Sequence, residues 1–134
     1  MNRIAVASIA LVAFSLGAVG ARALPQELLD AVTAAPNLYA VGYEDDAIRI
    51  LRVEYGAGDR SPMHHHPASC SIIVNSQSWE SMDPDGVVIP GFADAGMFAC
   101  ENGYSHGMEN TGEEPAGVFI IEFKGTDRLP GEGP

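Results

Sequence analysis

Positive charge is scarce in this chain: seven Lys and Arg stand against eighteen Asp and Glu in 134 residues, a formal charge of −11. Phosphate backbones and anionic lipid surfaces repel such a chain, which argues against nucleic acid or a membrane surface as partner. The acidity reads first as a solubilising exterior. Also missing are a Gly-rich phosphate cradle, a hydrolase-type serine elbow and a Cys-x-x-Cys pair. Nucleotide, serine-hydrolase and thioredoxin-like chemistries therefore have no motif to stand on. Cysteine is limited to Cys70 and Cys100, and histidine to four residues.

One long uncharged run is present, Ile4 to Gly20, between Arg3 and Ala21-Arg22-Ala23. A short basic start, an apolar centre and an Ala-x-Ala end predict a cleavable secretory signal over residues 1–23; the competing reading is an uncleaved anchor. Cleavage leaves Leu24 to Pro134, enough for one domain with one core. It also leaves five basic against eighteen acidic residues, a formal charge of −13. The expected location is periplasmic or secreted, with no membrane association after cleavage. In such an oxidising compartment two cysteines tend to pair.

The rest of the chain divides into an N-terminal helix and first strand (24–47), a barrel (48–124) and a disordered Gly- and Pro-rich tail (125–134). Pro25 and Pro36 bracket the helix, with Leu28, Leu29 and Val32 as its apolar stripe. Its expected job is to cover a barrel edge or a partner subunit. Strand signals follow at Leu38–Tyr43 and Ile48–Tyr55, where Leu51, Val53 and Tyr55 alternate with Arg52 and Glu54. Ile48 and Ile50 fall on the other parity, which predicts a bulge or a strand covered on both faces. Further runs are Cys70–Val74, Trp79–Met82, Val87–Ile89, a strand from Met97 that delivers His106, and Val118–Phe123. Short strands at close spacing with turns between them predict an all-β sandwich or barrel.

On an extended backbone His64 and His66 share one face and His65 takes the other. Imidazole is the commonest metal ligand in proteins, and His106 is the only histidine left to complete a set of three. Gly58, five residues, His64-x-His66, and later Gly103-x-x-His106-x-x-x-Asn110 resemble the two motifs of the cupin superfamily, in its small single-domain, cupin-2-like form. The resemblance spans about Ile48 to Lys124. It implies a double-stranded β-helix (jelly-roll) barrel that binds one divalent transition metal (Fe, Zn, Mn, Ni or Cu) through His64, His66 and His106. Two positions depart from the pattern: Cys70 stands where a glutamate ligand is usual, and Glu101-Asn102 where a proline is usual. Three readings of Cys70 stay open: a disulfide with Cys100, a buried thiol, or a thiolate ligand. An all-histidine centre is the working expectation.

Cys70, Asn110, Glu101 and Tyr104 are candidates for support of the metal or contact with substrate. Glu101 and Glu109 are general-base candidates, with Tyr55 and Tyr104 as hydroxyl donors. Trp79, Met97, Phe98 and Phe119 are candidates for the barrel mouth. The expected function is an exported, oxygenase-like enzyme acting on a small molecule. The alternatives are a non-catalytic metal- or ligand-binding module and a metal-dependent isomerase, epimerase or lyase. A homodimer is a further option.

Overall fold

The computed structural model describes residues 28–133, so the expected signal segment and the first residues of the expected helix lie outside it. Among the described residues only Ala31–Ala34 forms a helix (α1). Asp30 caps it, its Oδ1 accepting from the backbone N–H of Val32 and Thr33 at 3.1 and 3.4 Å. Leu28 and Leu29, expected in its apolar stripe, precede the cap and are exposed. The cap ends the helix from the N-terminal side, because Asp30 is itself extended.

Nine antiparallel strands follow: β1 (Tyr39–Glu44), β2 (Ile48–Tyr55), β3 (His64–His66), β4 (Ser69–Ile73), β5 (Gln77–Met82), β6 (Val88–Ala93), β7 (Phe98–Glu101), β8 (Tyr104–Asn110) and β9 (Ala116–Phe123). They form two sheets, β1-β2-β9-β4-β7 and β3-β8-β5-β6, a jelly-roll arrangement. Pro90 sits in β6, an edge strand, where its missing N–H interrupts no ladder on the outer side. The core is built from the inward parity of β2 and β9, with Leu51, Val53 and Tyr55 against Val118 and Ile120, closed by Ala31, Ala35 and Tyr39. Tyr39 and Tyr55 join their hydroxyls at 2.7 Å inside it.

Of the two readings of Ile48 and Ile50, the strand covered on both faces holds and the bulge does not; two further expectations are corrected. The β2–β9 register runs unbroken from Ile48↔Phe123 to Tyr55↔Ala116; the irregularity lies in β1, between Val41 and Tyr43. Ile48 and Ile50 are half-buried because this end of β2 is covered on both faces. The strand from Met97 does not continue to His106. β7 pairs with β4 in one sheet, and after Asn102-Gly103 β8 pairs with β3 and β5 in the other. The tail expected to be disordered is instead held down at its start. Thr126 and Asp127 carbonyls accept from Ala68 and Gly103 at 3.0 and 2.8 Å, and Leu129 N–H donates to Asn102 at 2.9 Å.

Candidate metal centre

β3 and β8 pair in the register His64↔His106, His65↔Ser105 and His66↔Tyr104. Cross-strand partners face the same side, so His64 and His106 meet directly while His66 lies two residues along. His64 and His66 are fully buried. One ring nitrogen of each of the three lies within 4.8 Å of the others.

Outer hydrogen bonds decide which nitrogens are available. His64 Nδ1 is 2.8 Å from the Pro62 carbonyl, which can only accept, so Nδ1 carries the proton. His66 Nδ1 is 2.8 Å from Glu122 Oε1 and donates to it. In the neutral rings both Nε2 atoms are therefore bare lone pairs, yet they face each other at 3.0 Å. Two lone pairs at that distance repel, and a cation between them turns the contact favourable. His106 Nδ1 meets Ser81 Oγ at 3.2 Å, and its Nε2 is buried with no partner. The donor set thus fits a divalent metal: neutral imidazoles, fixed tautomers and an orphaned ring nitrogen at the point of convergence. Burial pushes the His64 imidazole down to about 4 and the His106 imidazole to about 3, with the neighbouring histidines adding to the fall in both cases. Both rings stay neutral and ready to ligate at ordinary pH.

Glu122 escaped the sequence reading. It is fully buried on β9, with Oε1 on His66 and Oε2 on Arg49 Nε and Nη2, each at 2.7 Å. Arg49 Nη1 continues to Asp30 Oδ1 at 3.2 Å. The signal was available. Glu122 shares the parity of Val118 and Ile120, Arg49 that of Leu51 and Val53, and the two are register partners. Two opposite charges on core parities of neighbouring strands predict a buried pair.

The other candidates separate. Tyr104 packs against His66 and His106 at ring-centroid distances of 5.1 and 5.0 Å, and Tyr39 against His64 at 5.1 Å. Burial raises the phenol pKa of both, so they flank the cluster as neutral hydroxyls rather than phenolate ligands. Tyr55 touches the cluster only through Tyr39. Asn110 donates to the carbonyls of Tyr55, Gly56 and Glu114 and accepts from Gly112, which fixes turns and touches no histidine. Glu109 is committed to Arg60 at 2.8 Å, away from the cluster. His65 turns outward as expected, but it is bonded, to Ser105 Oγ and Asp127 Oδ1, each at 3.0 Å. Cys70 is no ligand: it pairs with Cys100 across β4 and β7 in a disulfide.

A cavity of about 780 Å³ opens between the sheets, within the size range of small-molecule sites. His106, Tyr104 and Ser81 line the end beside the histidine cluster; Trp79, Ile73, Met108, Val118 and Ile120 give it apolar walls. Met97 and Phe98, expected at the mouth, line it and are exposed, as are Ile89 and Phe92. Glu101 lies on the exposed part of this lining. Phe119 does not line it. It points to the outside of β9, beside Val41 and Arg52, because its parity is opposite to that of Val118 and Ile120.

No family model matches the sequence, and no curated protein matches it. Solved structures do. A cupin domain from Bordetella pertussis Tohama I superposes with a TM-score of 0.61 at 15% identity, over 65% of this chain and 92% of that one. A cupin 2 conserved barrel domain protein from Salinispora arenicola gives 0.51 at 19% identity, over 66% and 77%. A conserved protein with a double-stranded β-helix domain from Klebsiella pneumoniae gives 0.52 at 18% identity, over 68% and 79%. The two motifs read from the sequence and the barrel that carries them agree: this chain has the cupin fold.

Proposed function

We propose that the protein is an exported metal-dependent enzyme, oxygenase-like, that acts on a small and largely apolar molecule. The observation that carries this reading is the convergence of three imidazoles, two with tautomers locked by outer hydrogen bonds, one of which, His106, lines a largely apolar cavity. His64, His66 and His106 would hold one divalent metal. When bound, a redox-active metal in this setting supplies O₂ activation and an electrophilic centre for an anionic substrate group.

The chain's own residues do the rest. Glu122 keeps the His66 proton on Nδ1, and the Pro62 carbonyl does the same for His64. Tyr39 and Tyr104 pack against the rings and line the cavity beside them. The apolar walls bind and orient substrate and keep the site dry. A proton-transfer reaction, as in an isomerase or epimerase, finds less support. Glu122 has both oxygens engaged, Glu109 is paired with Arg60, and Glu101 is exposed. The Cys70–Cys100 disulfide and the signal-like N-terminus support export.

Elemental analysis of protein purified without an affinity tag tests the reading. About one iron, manganese, nickel or copper per chain is the expected result. A tightly held zinc would turn the reading to a non-catalytic binding module, and a metal-free protein that takes up none of these ions would overturn the metal centre itself.

A further inference from the structure

Among the described residues two buried side-chain polar atoms have no hydrogen-bond partner, His106 Nε2 and Gln77 Oε1. Both residues line the same cavity. The metal reading accounts for the first and leaves the second unexplained. Gln77 is only 8% exposed, and a buried amide oxygen left without a donor costs stability unless something completes it.

Gln77, Trp79 and Ser81 share one face of β5 and all line the cavity. Ser81 marks the metal end through its contact with His106. Gln77 lies four residues back along the strand, about 13 Å away at the usual strand rise. Trp79 stands midway. Its indole lies flat on Gly91 of β6, so closely that any Cβ at Gly91 would overlap the ring. Glycine at that position is what lets the ring lie back and leave the space between the sheets open. The lining is therefore largely aromatic and aliphatic, with a residue that carries one unsatisfied polar atom at each end.

We propose that Gln77 is a ligand-binding residue that receives the far end of an elongated, flat, largely apolar molecule with an O–H or N–H donor there and an anionic group at the metal end. This rests on the metal reading for the anionic group, because three neutral imidazoles leave the charge of a divalent ion uncompensated. The donor follows from Gln77 itself, whose buried unpartnered atom is an acceptor. The flat middle follows from Trp79 and from the narrow gap between two packed sheets.

The test compares 4-hydroxycinnamate with cinnamate by calorimetric titration of the zinc-loaded protein and of Gln77→Met, with zinc content and thermal midpoint measured alongside. The hydroxylated acid should bind the unaltered protein about tenfold more tightly. In Gln77→Met that preference should vanish, with zinc content unchanged. The ligand-free variant should melt at a higher temperature, since an unsatisfied polar group has been replaced by an apolar one of similar length. Equal binding of the two acids, no binding of either, a preference that survives Gln77→Met, or a lower melting temperature for the variant would each overturn the assignment. Zinc content reads the metal centre separately. If the unaltered protein takes up none, the metal reading fails, and the same two acids titrated into metal-free protein still decide Gln77.

Discussion

On the β9 side of the histidine cluster, Glu122 and Arg49 satisfy each other and His66 in a fully bonded, buried network that ends at Asp30. On the β5 side, His106 and Gln77 line a cavity, and the buried atoms His106 Nε2 and Gln77 Oε1 have no partner. The two sides belong to different antiparallel sheets, β9 to the five-stranded one and β5 to the four-stranded one, and both place polar atoms on core parity. The difference is whether a neighbouring strand supplies the complementary group. Where it does, the polar residues hold a ring in one tautomer. Where it does not, the atoms stay unsatisfied within the chain, and it is there that we propose a metal and a ligand bind.

Removing a ligand should have the largest effect. His64→Ala, His66→Ala or His106→Ala should each lower bound metal from about one per chain to near zero, while His65→Ala should leave it unchanged, because His65 bonds outward to Ser105 and Asp127. Elemental analysis of the four variants decides it, and comparable loss from His65→Ala would sink the assignment. The contrast sharpens in metal-free protein, where His106→Ala should melt close to the unaltered protein and His66→Ala well below it.

Glu122→Ala attacks the bonded side directly. It leaves the Arg49 guanidinium half-buried and the His66 N–H without an acceptor, so unfolding stability should fall by about 3–5 kcal/mol. Glu122→Gln, which keeps the shape, should cost roughly 10–100-fold in metal affinity by competition titration. Unchanged affinity in Glu122→Gln would mean that the network does not set the His66 tautomer.

The disulfide offers a similar loss of stability without loss of the site. Cys70 and Cys100 lie 30 residues apart, and opening that loop should cost roughly 3–4 kcal/mol in the chain-entropy model. Cys70→Ser should lower the urea midpoint and retain metal. An empty but folded Cys70→Ser protein would reinstate a role for sulfur at the metal.

Acid should act more gradually. Burial depresses the pKa of His64 to about 4 and of His106 to about 3, below the value of about 6.5 for free imidazole. The unfolded chain therefore binds more protons between these values. The stability that comes from burying neutral rings is complete above about pH 6.5 and is lost as pH falls towards 3–4. Protons should displace metal mainly in that lower window, rather than near 6.5 as for exposed histidines. Metal released between about pH 7 and 6 would contradict the burial of the rings.

What the chain order could show was whatever depends on local periodicity. Alternation located β2, a closing run marked β9, the turn residues separated the strands, and the i, i+2 spacing put His64 and His66 on one face and His65 on the other. The motif pattern supplied His106 and the barrel. Glu122 and Arg49 were legible in principle from their parity, but reading them as partners requires the β2–β9 register, which joins residues 73 apart.

Other features belonged to the tertiary structure alone. Pairing across β4 and β7 turned two ambiguous cysteines into a disulfide. The crossing from one sheet to the other at Asn102-Gly103 broke what read as a single strand. Packing of the tail against β3 and β8 gave order to a segment whose composition suggests none. Sequence determines which face each side chain takes, because backbone alternation is local. Which groups meet across that face, and which are left without a partner, depends on strands distant in the chain, so only the fold decided where the bonded network ends and the open site begins.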